Sequence, residues 1–395
     1  MKIDLKFINK INIFLMLSMI VPYIFVFFLI LMDLLKRNRI FYYFFYKSIP
    51  FILLFIPLLI IAILNNNESF MIYHHARDYV VFFVISIYLT TLCQTTKKGA
   101  QLVYYSIKNV FVILAIIKIF ILFYVNFLGA NMVEVLDFLT KKVGIPMMQS
   151  TSQSDFIFRL QFPTEAVLPF LIYFVIKEID EKFTWITFSQ LLLLLISLLL
   201  TLSRAFWAVG IFYIVLGIFL ETQKTTKMKI SIVSFILLPI FLWLTNFHLI
   251  LLDIVQTRFG NKANDLNYYS DLERNLQNKE LWIGFFQEPV FGKGLGYYIP
   301  YLIRDQNDKY MYESQVLSYL MDFGIILFSL FILITLYFSV SNNYRNSKSL
   351  FLSLSFFFFW IILSSYNPLL LGISGAILIF FAFNANKFSE IKFKH

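Results

Sequence analysis

The stretch YESQVLSYLMDFGIILFSLFILITLY, Tyr312 to Tyr337, decides the fold, because after a polar start it runs apolar with only Glu313 and Asp322 charged. A helix needs about 20 such residues to cross the hydrocarbon of a bilayer. The run is continuously apolar, without the alternation that a barrel strand shows over about 10 residues. It therefore reads as a membrane-crossing helix. Comparable runs lie near 11–32, 42–64, 79–94, 105–128, 162–177, 184–202, 205–221, 230–247, 350–366 and 369–385. Together they predict an all-α polytopic membrane protein of about 11 spans (roughly 10 to 12) at about 20 residues each.

The composition agrees, with 59% hydrophobic and 14% charged residues over 395 positions. Run 11–32 is longer than a secretory leader's apolar core and lacks a small-residue cleavage site, so a retained helix is expected there. The net charge of +10 does not call for a nucleic-acid partner. Its lysines and arginines gather in short loops between apolar runs, such as Lys36, Arg37 and Arg39, or Lys224, Lys227 and Lys229. The positive-inside rule assigns those loops to the cytoplasm. One conflict remains, since an odd span count with a cytoplasmic C-terminus puts Lys2, Lys6 and Lys10 outside. A single cysteine, Cys93, excludes an intramolecular disulfide and the paired-cysteine zinc patterns, so neither redox chemistry nor a structural metal is expected.

This topology leaves two long segments facing outward, about 129–161 and 248–311, and segments of that length tend to be functional. The chain is expected to be one transmembrane domain over 1–395, with the second segment forming a helical cap. DLERNLQNKELWIGFFQEP has helical spacing of its apolar residues, and no internal repeat or low-complexity linker interrupts the chain.

Outward arginines are informative because topology does not ask for them there. Arg204, in LLLTLSRAFWAVG, sits between two apolar runs with almost no loop. It either snorkels to headgroups or holds an anion through its planar fork. Arg159, in DFIFRLQFPTEAVLP, poses the same choice, and Glu165 just beyond it either pairs with such an arginine or caps the helix start. Arg258, Arg274, Lys293 and Arg304 are the basic candidates of the large segment. The glycines of EPVFGKGLGYY predict a turn with close backbone approach; with no following GK[ST] and no βαβ context they exclude a nucleotide fold. On a helical wheel Ser314, Gln315, Ser318, Tyr319 and Asp322 share one face, whereas Glu313 falls among Leu317, Leu320 and Met321. Glu313 is thus expected either to cap the helix or to be partly desolvated, with a raised pKa suited to base chemistry. His74 and His75, next to Arg77 and Asp78 in an outer loop, lack a third metal ligand. Lys118, deep in a run, is expected to snorkel.

The order of these features resembles the Wzy-type polysaccharide polymerase and O-antigen ligase superfamily over about residues 100–340. The matching elements are RLQFP with Arg159, TLSRAFW with Arg204, then Arg274, Trp282 and EPVFGKGLG, and finally the head of the span in YESQVLSYLMDFG. The ligases usually have a histidine where this chain has Glu313, which is more similar to the polymerase branch. The resemblance implies a GT-C-like helical fold and a glycosyltransferase without nucleotide sugar, metal or other cofactor. It implies undecaprenyl-pyrophosphate-linked glycans as donor and acceptor at the outer face of the bacterial cytoplasmic membrane, with a chain-length regulator and a flippase as companions. Glu313 then acts as general base or acceptor-orienting group, and Arg159, Arg204 and Arg274 work on the pyrophosphate. Arg258, Lys293, Arg304, Tyr312 and Gln315 line the substrate site. The competing readings are a ligase moving finished glycan, and a lipid-linked oligosaccharide flippase or transporter. A flippase would need charges lining a cavity within the spans and short outer loops, the opposite of this pattern.

Overall fold

The computed structural model describes residues 5–18, 22–96, 98–128, 131–143, 160–222 and 263–393. Arg159, Arg258 and the expected span 230–247 lie outside the described residues. The chain forms α1 (Leu5–Ser18), α2 (Tyr23–Leu35), α3 (Asn38–Leu64), α4 (Ser69–Thr95), α5 (Gly99–Leu128) and α6 (Met132–Phe138). After a 3₁₀ turn at Pro163–Val167 come α7 (Leu168–Glu181), α8 (Trp185–Leu200), α9 (Arg204–Glu221) and α10 (Ala263–Gln287). The last elements are α11 (Gln315–Ser341), α12 (Ser347–Ser364), α13 (Gly372–Phe383) and α14 (Ala385–Ser389).

Among the described residues there is no β-sheet, and 6 helices are long and apolar enough to cross a membrane: α3, α4, α5, α9, α11 and α12. Shorter apolar helices are α2, α8 and α13. The described residues are those of an all-helical, multi-pass membrane protein. Several expected boundaries change. The expected span 162–177 is a 3₁₀ turn followed by the 14-residue α7. The single run 11–32 is two helices, with Pro22 as the N-cap of α2; proline has no amide hydrogen to continue a preceding helix. Helix α4 begins at Ser69, so His74 and His75 are helical rather than in a loop. Helix α11 begins at Gln315, which leaves Glu313 outside it.

The described chain divides into two compact units, one of Met1–Leu17, Val21–Ser106 and Asp271–Ile391, the other of Ser18–Ile20, Ile107–Ser270 and Lys392–His395. In the first, α4 packs on α3 and α13, while α11 packs on α12 and α3. Aromatic rings fill the seam. Phe82 stacks on Trp360 at 5.9 Å between centroids, and Phe51 on Phe338 at 5.8 Å. Buried polar side chains join the helices, as membrane interiors favour: Asn384 Nδ2 donates to Thr90 Oγ1 at 2.8 Å, and Ser353 Oγ to the Ala382 carbonyl at 2.7 Å.

A break in α11 fixes the segment after α10. Gly324 has φ 64°, so the helical hydrogen-bond ladder is interrupted there. The open groups are paired by the glycine-containing segment. The Lys293 and Gly294 amides donate to the Met321 and Asp322 carbonyls at 3.0 and 2.7 Å, and the Ile325 and Ile326 amides donate to the Pro289 and Val290 carbonyls at 2.8 and 3.2 Å. A Cβ at Gly292 would overlap the Gly324 amide, and one at Gly324 the Gly292 amide. The glycine run is therefore a close backbone contact, with positive φ at Gly292, Gly294 and Gly296.

In the second unit α7 packs on α8 and α9. Buried lysine–glutamate pairs tie α5 to the α7 region: Lys108 Nζ lies 2.8 Å from Glu178 Oε2, and Lys118 Nζ 2.5 Å from Glu165 Oε1. Lys118 does not snorkel, as its length alone would permit. Its side chain is 0% exposed, because a carboxylate within the fold supplies the partner that hydrocarbon cannot.

Candidate functional site

In the first unit the head of α11 brings three of the sequence candidates together. Arg274, on α10, donates from Nε to Glu313 Oε2 at 2.9 Å. Arg304, from the segment between α10 and α11, places Nη1 2.6 Å from Glu313 Oε1. The Glu313 amide donates to Gln277 Oε1 at 2.9 Å, so α10 holds both the side chain and the backbone of this residue. The Arg304, Glu313 and Arg274 side chains are 44%, 25% and 23% exposed, which leaves the group open to a ligand. Two guanidinium groups share one carboxylate.

This geometry corrects the expectation of a raised Glu313 pKa. Burial alone would raise it, but the hydrogen bond and charge of Arg304, with those of Arg274, hold the carboxyl below the ordinary glutamate value. The wheel placement among Leu317, Leu320 and Met321 does not apply either, because Glu313 precedes the helix. Capping fares no better: Ser314 is the N-cap, and it makes no side-chain capping bond.

The other candidates of this unit have structural bonds. The buried Tyr312 hydroxyl accepts from the Ile299 amide at 2.8 Å, and buried Gln315 accepts from the Leu370 amide through Oε1 at 2.5 Å. Lys293 Nζ lies 3.0 Å from Glu288 Oε1 and 5.4 Å from the Tyr297 ring centroid. The segment is pinned to α4 as well: His74 Nδ1 lies 2.6 Å from Asp308 Oδ1, Tyr310 donates to Asp78 at 2.7 Å, and the Gly296 amide donates to His75 Nδ1 at 3.0 Å. Deeper, His75 Nε2 and both Asp322 carboxylate oxygens are buried with no hydrogen-bond partner among the described residues.

In the second unit Arg204 is the first residue of α9, with Ser203 as N-cap accepting from the Phe206 amide at 3.5 Å. Its side chain is exposed, and among the described residues it has no ion pair or hydrogen bond. A helix N-terminus is already positive. An unpaired guanidinium there adds to that field and favours an anion over any other ligand.

Residues 190–332 match the Wzy_C family model, described as O-antigen ligase, and the match supports the O-antigen polymerase/ligase superfamily. The matched segment contains Arg204, Arg274, Arg304 and Glu313. No curated protein and no solved structure matches the chain.

Sequence reading missed the pairing of Arg304 with Glu313 and the Lys118–Glu165 pair. The first had no local signal, since Arg304 lies in an irregular segment. The second had one: a lysine deep in an apolar run requires a buried partner, and Glu165 was the acid nearest the start of a neighbouring run.

Proposed function

We propose that the protein polymerises undecaprenyl-pyrophosphate-linked oligosaccharide repeats into a surface polysaccharide at the outer face of the cytoplasmic membrane. The observation that carries this reading is the Arg274–Glu313–Arg304 group at the head of α11, inside the segment that matches the O-antigen ligase family. In the reaction a hydroxyl oxygen of the acceptor repeat bonds to the donor sugar's C1, and the bond from C1 to the pyrophosphate oxygen breaks. The electron pair leaves with the lipid pyrophosphate, and the hydroxyl proton passes to water. Fixed guanidinium groups stabilise the charge that develops on the leaving group. In the second unit, taken by itself, Arg204 at the start of α9 binds lipid-pyrophosphate oxygens through its planar fork.

Of the two roles expected for Glu313, general base or acceptor-orienting group, its lowered pKa favours the second. A carboxylate held below its usual pKa is a weak base, yet it fixes two forks that would otherwise splay apart under their mutual repulsion. It acts as the residue that orients Arg274 and Arg304, and its free lone pairs can accept from the acceptor hydroxyl. The test is the polymer profile of a strain carrying Arg274→Ala or Arg304→Ala. Single repeats on the carrier, with normal protein levels, are expected; a full-length ladder would overturn the reading.

The ligase description favours a second reading, transfer of a finished glycan to another acceptor. It predicts free long chains in the loss-of-function strain rather than single repeats.

A further inference from the structure

The four last carbonyls of a helix have no partner within it, and at the end of α8 each is accounted for. Lys118 Nζ donates to the Ser197 carbonyl at 3.2 Å. The Leu198 carbonyl accepts from the Thr201 hydroxyl at 2.7 Å and from Trp207 Nε1 at 3.0 Å. The Leu199 carbonyl accepts from the Leu202 amide at 3.1 Å, and the Leu200 carbonyl from the Leu160 amide at 3.2 Å. A turn with Leu202 at φ 48° then leads into Arg204.

Glu165 is the centre of this arrangement. One oxygen accepts from Ser197 Oγ at 3.0 Å, and the other from Lys118 at 2.6 Å and from the Phe162 amide at 3.1 Å. Both side chains of the ion pair are 0% exposed. One carboxylate thus joins α5, α8 and the segment before α7. Lys118 also places its charge on the carbonyl end of α8, where the helix dipole favours a cation.

A buried pair of this kind adds little net stability over an apolar substitute of the same shape. Its geometric effect is specific: the last turn of α8 is tied on every side, and the residue that emerges from it is the exposed arginine. We infer that Lys118 and Glu165 are positioning residues for Arg204, fixing the turn from which its guanidinium reaches an anionic ligand. The inference rests on the reading of Arg204 as a pyrophosphate-binding residue.

The test uses the full-length protein in lipid nanodiscs with undecaprenyl pyrophosphate as the probe, so that no sugar need be known. Lys118→Met with Glu165→Gln removes both charges together and avoids a lone buried ion. Arg204→Ala is expected to weaken binding about tenfold, as loss of a charge-assisted pair does. The double variant is expected to match it, and the triple variant to bind no more weakly than Arg204→Ala alone. That non-additivity marks action through Arg204, which a general loss of packing would not produce. Should the double variant fail to fold, Ser197→Ala cuts only the tie between Glu165 and α8, and an approximately threefold weakening is expected from loss of one hydrogen bond.

Wild-type affinity in a folded double variant or in Ser197→Ala, beside a weakened Arg204→Ala, overturns the positioning role and leaves the functional reading intact. Additive losses in the triple variant overturn it too. Wild-type affinity in Arg204→Ala overturns the reading of Arg204 as a pyrophosphate-binding residue and the positioning role with it.

Discussion

Glu313→Gln separates the two roles that a carboxylate at the head of α11 can have. The wild-type carboxylate accepts from Arg274 at 2.9 Å and is paired with Arg304 at 2.6 Å. Glutamine has one oxygen to offer and turns an amide toward the other guanidinium, so it keeps one contact at most and loses the charge. A charge-assisted bond contributes about 1.5–3 kcal/mol. The site is partly exposed, with Arg304 at 44%, so screening reduces this to about 1–2 kcal/mol. The expected loss in kcat/KM is thus roughly fivefold to thirtyfold. Removal of a proton acceptor would cost about 10²–10⁴-fold. The pH profile gives an independent check. Because the folded carboxyl titrates below the ordinary glutamate value, its stabilising contribution is present above the unfolded pKa and is lost only as pH falls through the lower folded one. Wild-type activity should show no acid limb assignable to Glu313 between about pH 5 and 8, given an ordinary glutamate value of about 4.3. The assay is chain elongation by purified enzyme in liposomes across that range. A thousandfold loss, with an acid limb present in the wild type and absent in the variant, would refute the orienting role and restore the base.

The glycine contact predicts unequal costs for equal substitutions. Gly292→Ala and Gly324→Ala both set a Cβ against backbone and should abolish folded protein in membranes, whereas Gly372→Ala, also at positive φ but with nothing within 4 Å, should cost only about 1 kcal/mol, read as a small fall in melting temperature. Lys118→Met alone strands Glu165 as a buried charge and should destabilise by about 3–5 kcal/mol, while the variant that also has Glu165→Gln should recover most of it in thermal unfolding. Arg204→Lys keeps the charge but loses the fork; undecaprenyl pyrophosphate affinity should fall severalfold, and unchanged affinity would favour plain interfacial anchoring.

The helical class and most membrane runs were legible because continuous apolar length is itself the physical requirement for crossing hydrocarbon. The glycine run was legible as a turn, since alternating glycines suit positive φ and close backbone approach. Its partner was not: nothing near Gly292 points to Gly324 as the second half of one backbone contact. Glu313 stands out as an acid in an apolar neighbourhood, but extending the helix through it gives the wrong surroundings. The residues that set its chemistry, Arg274 and Arg304, reach it from 39 positions before and from an irregular segment. Glu165 was expected either to cap the helix start or to pair with an arginine. It accepts the Phe162 amide, but its charge partner is Lys118, 47 positions away on another helix. Pairings between distant helices depend on packing, which periodicity does not encode.

The most direct test of the account is reconstitution of the purified protein in liposomes with a lipid-linked repeat unit labelled in its sugar. The account predicts a ladder of products differing by one repeat, one lipid pyrophosphate released per linkage, and no ladder when Arg274 and Arg304 are both alanine. Transfer of a preformed glycan to a different acceptor without any ladder would contradict it.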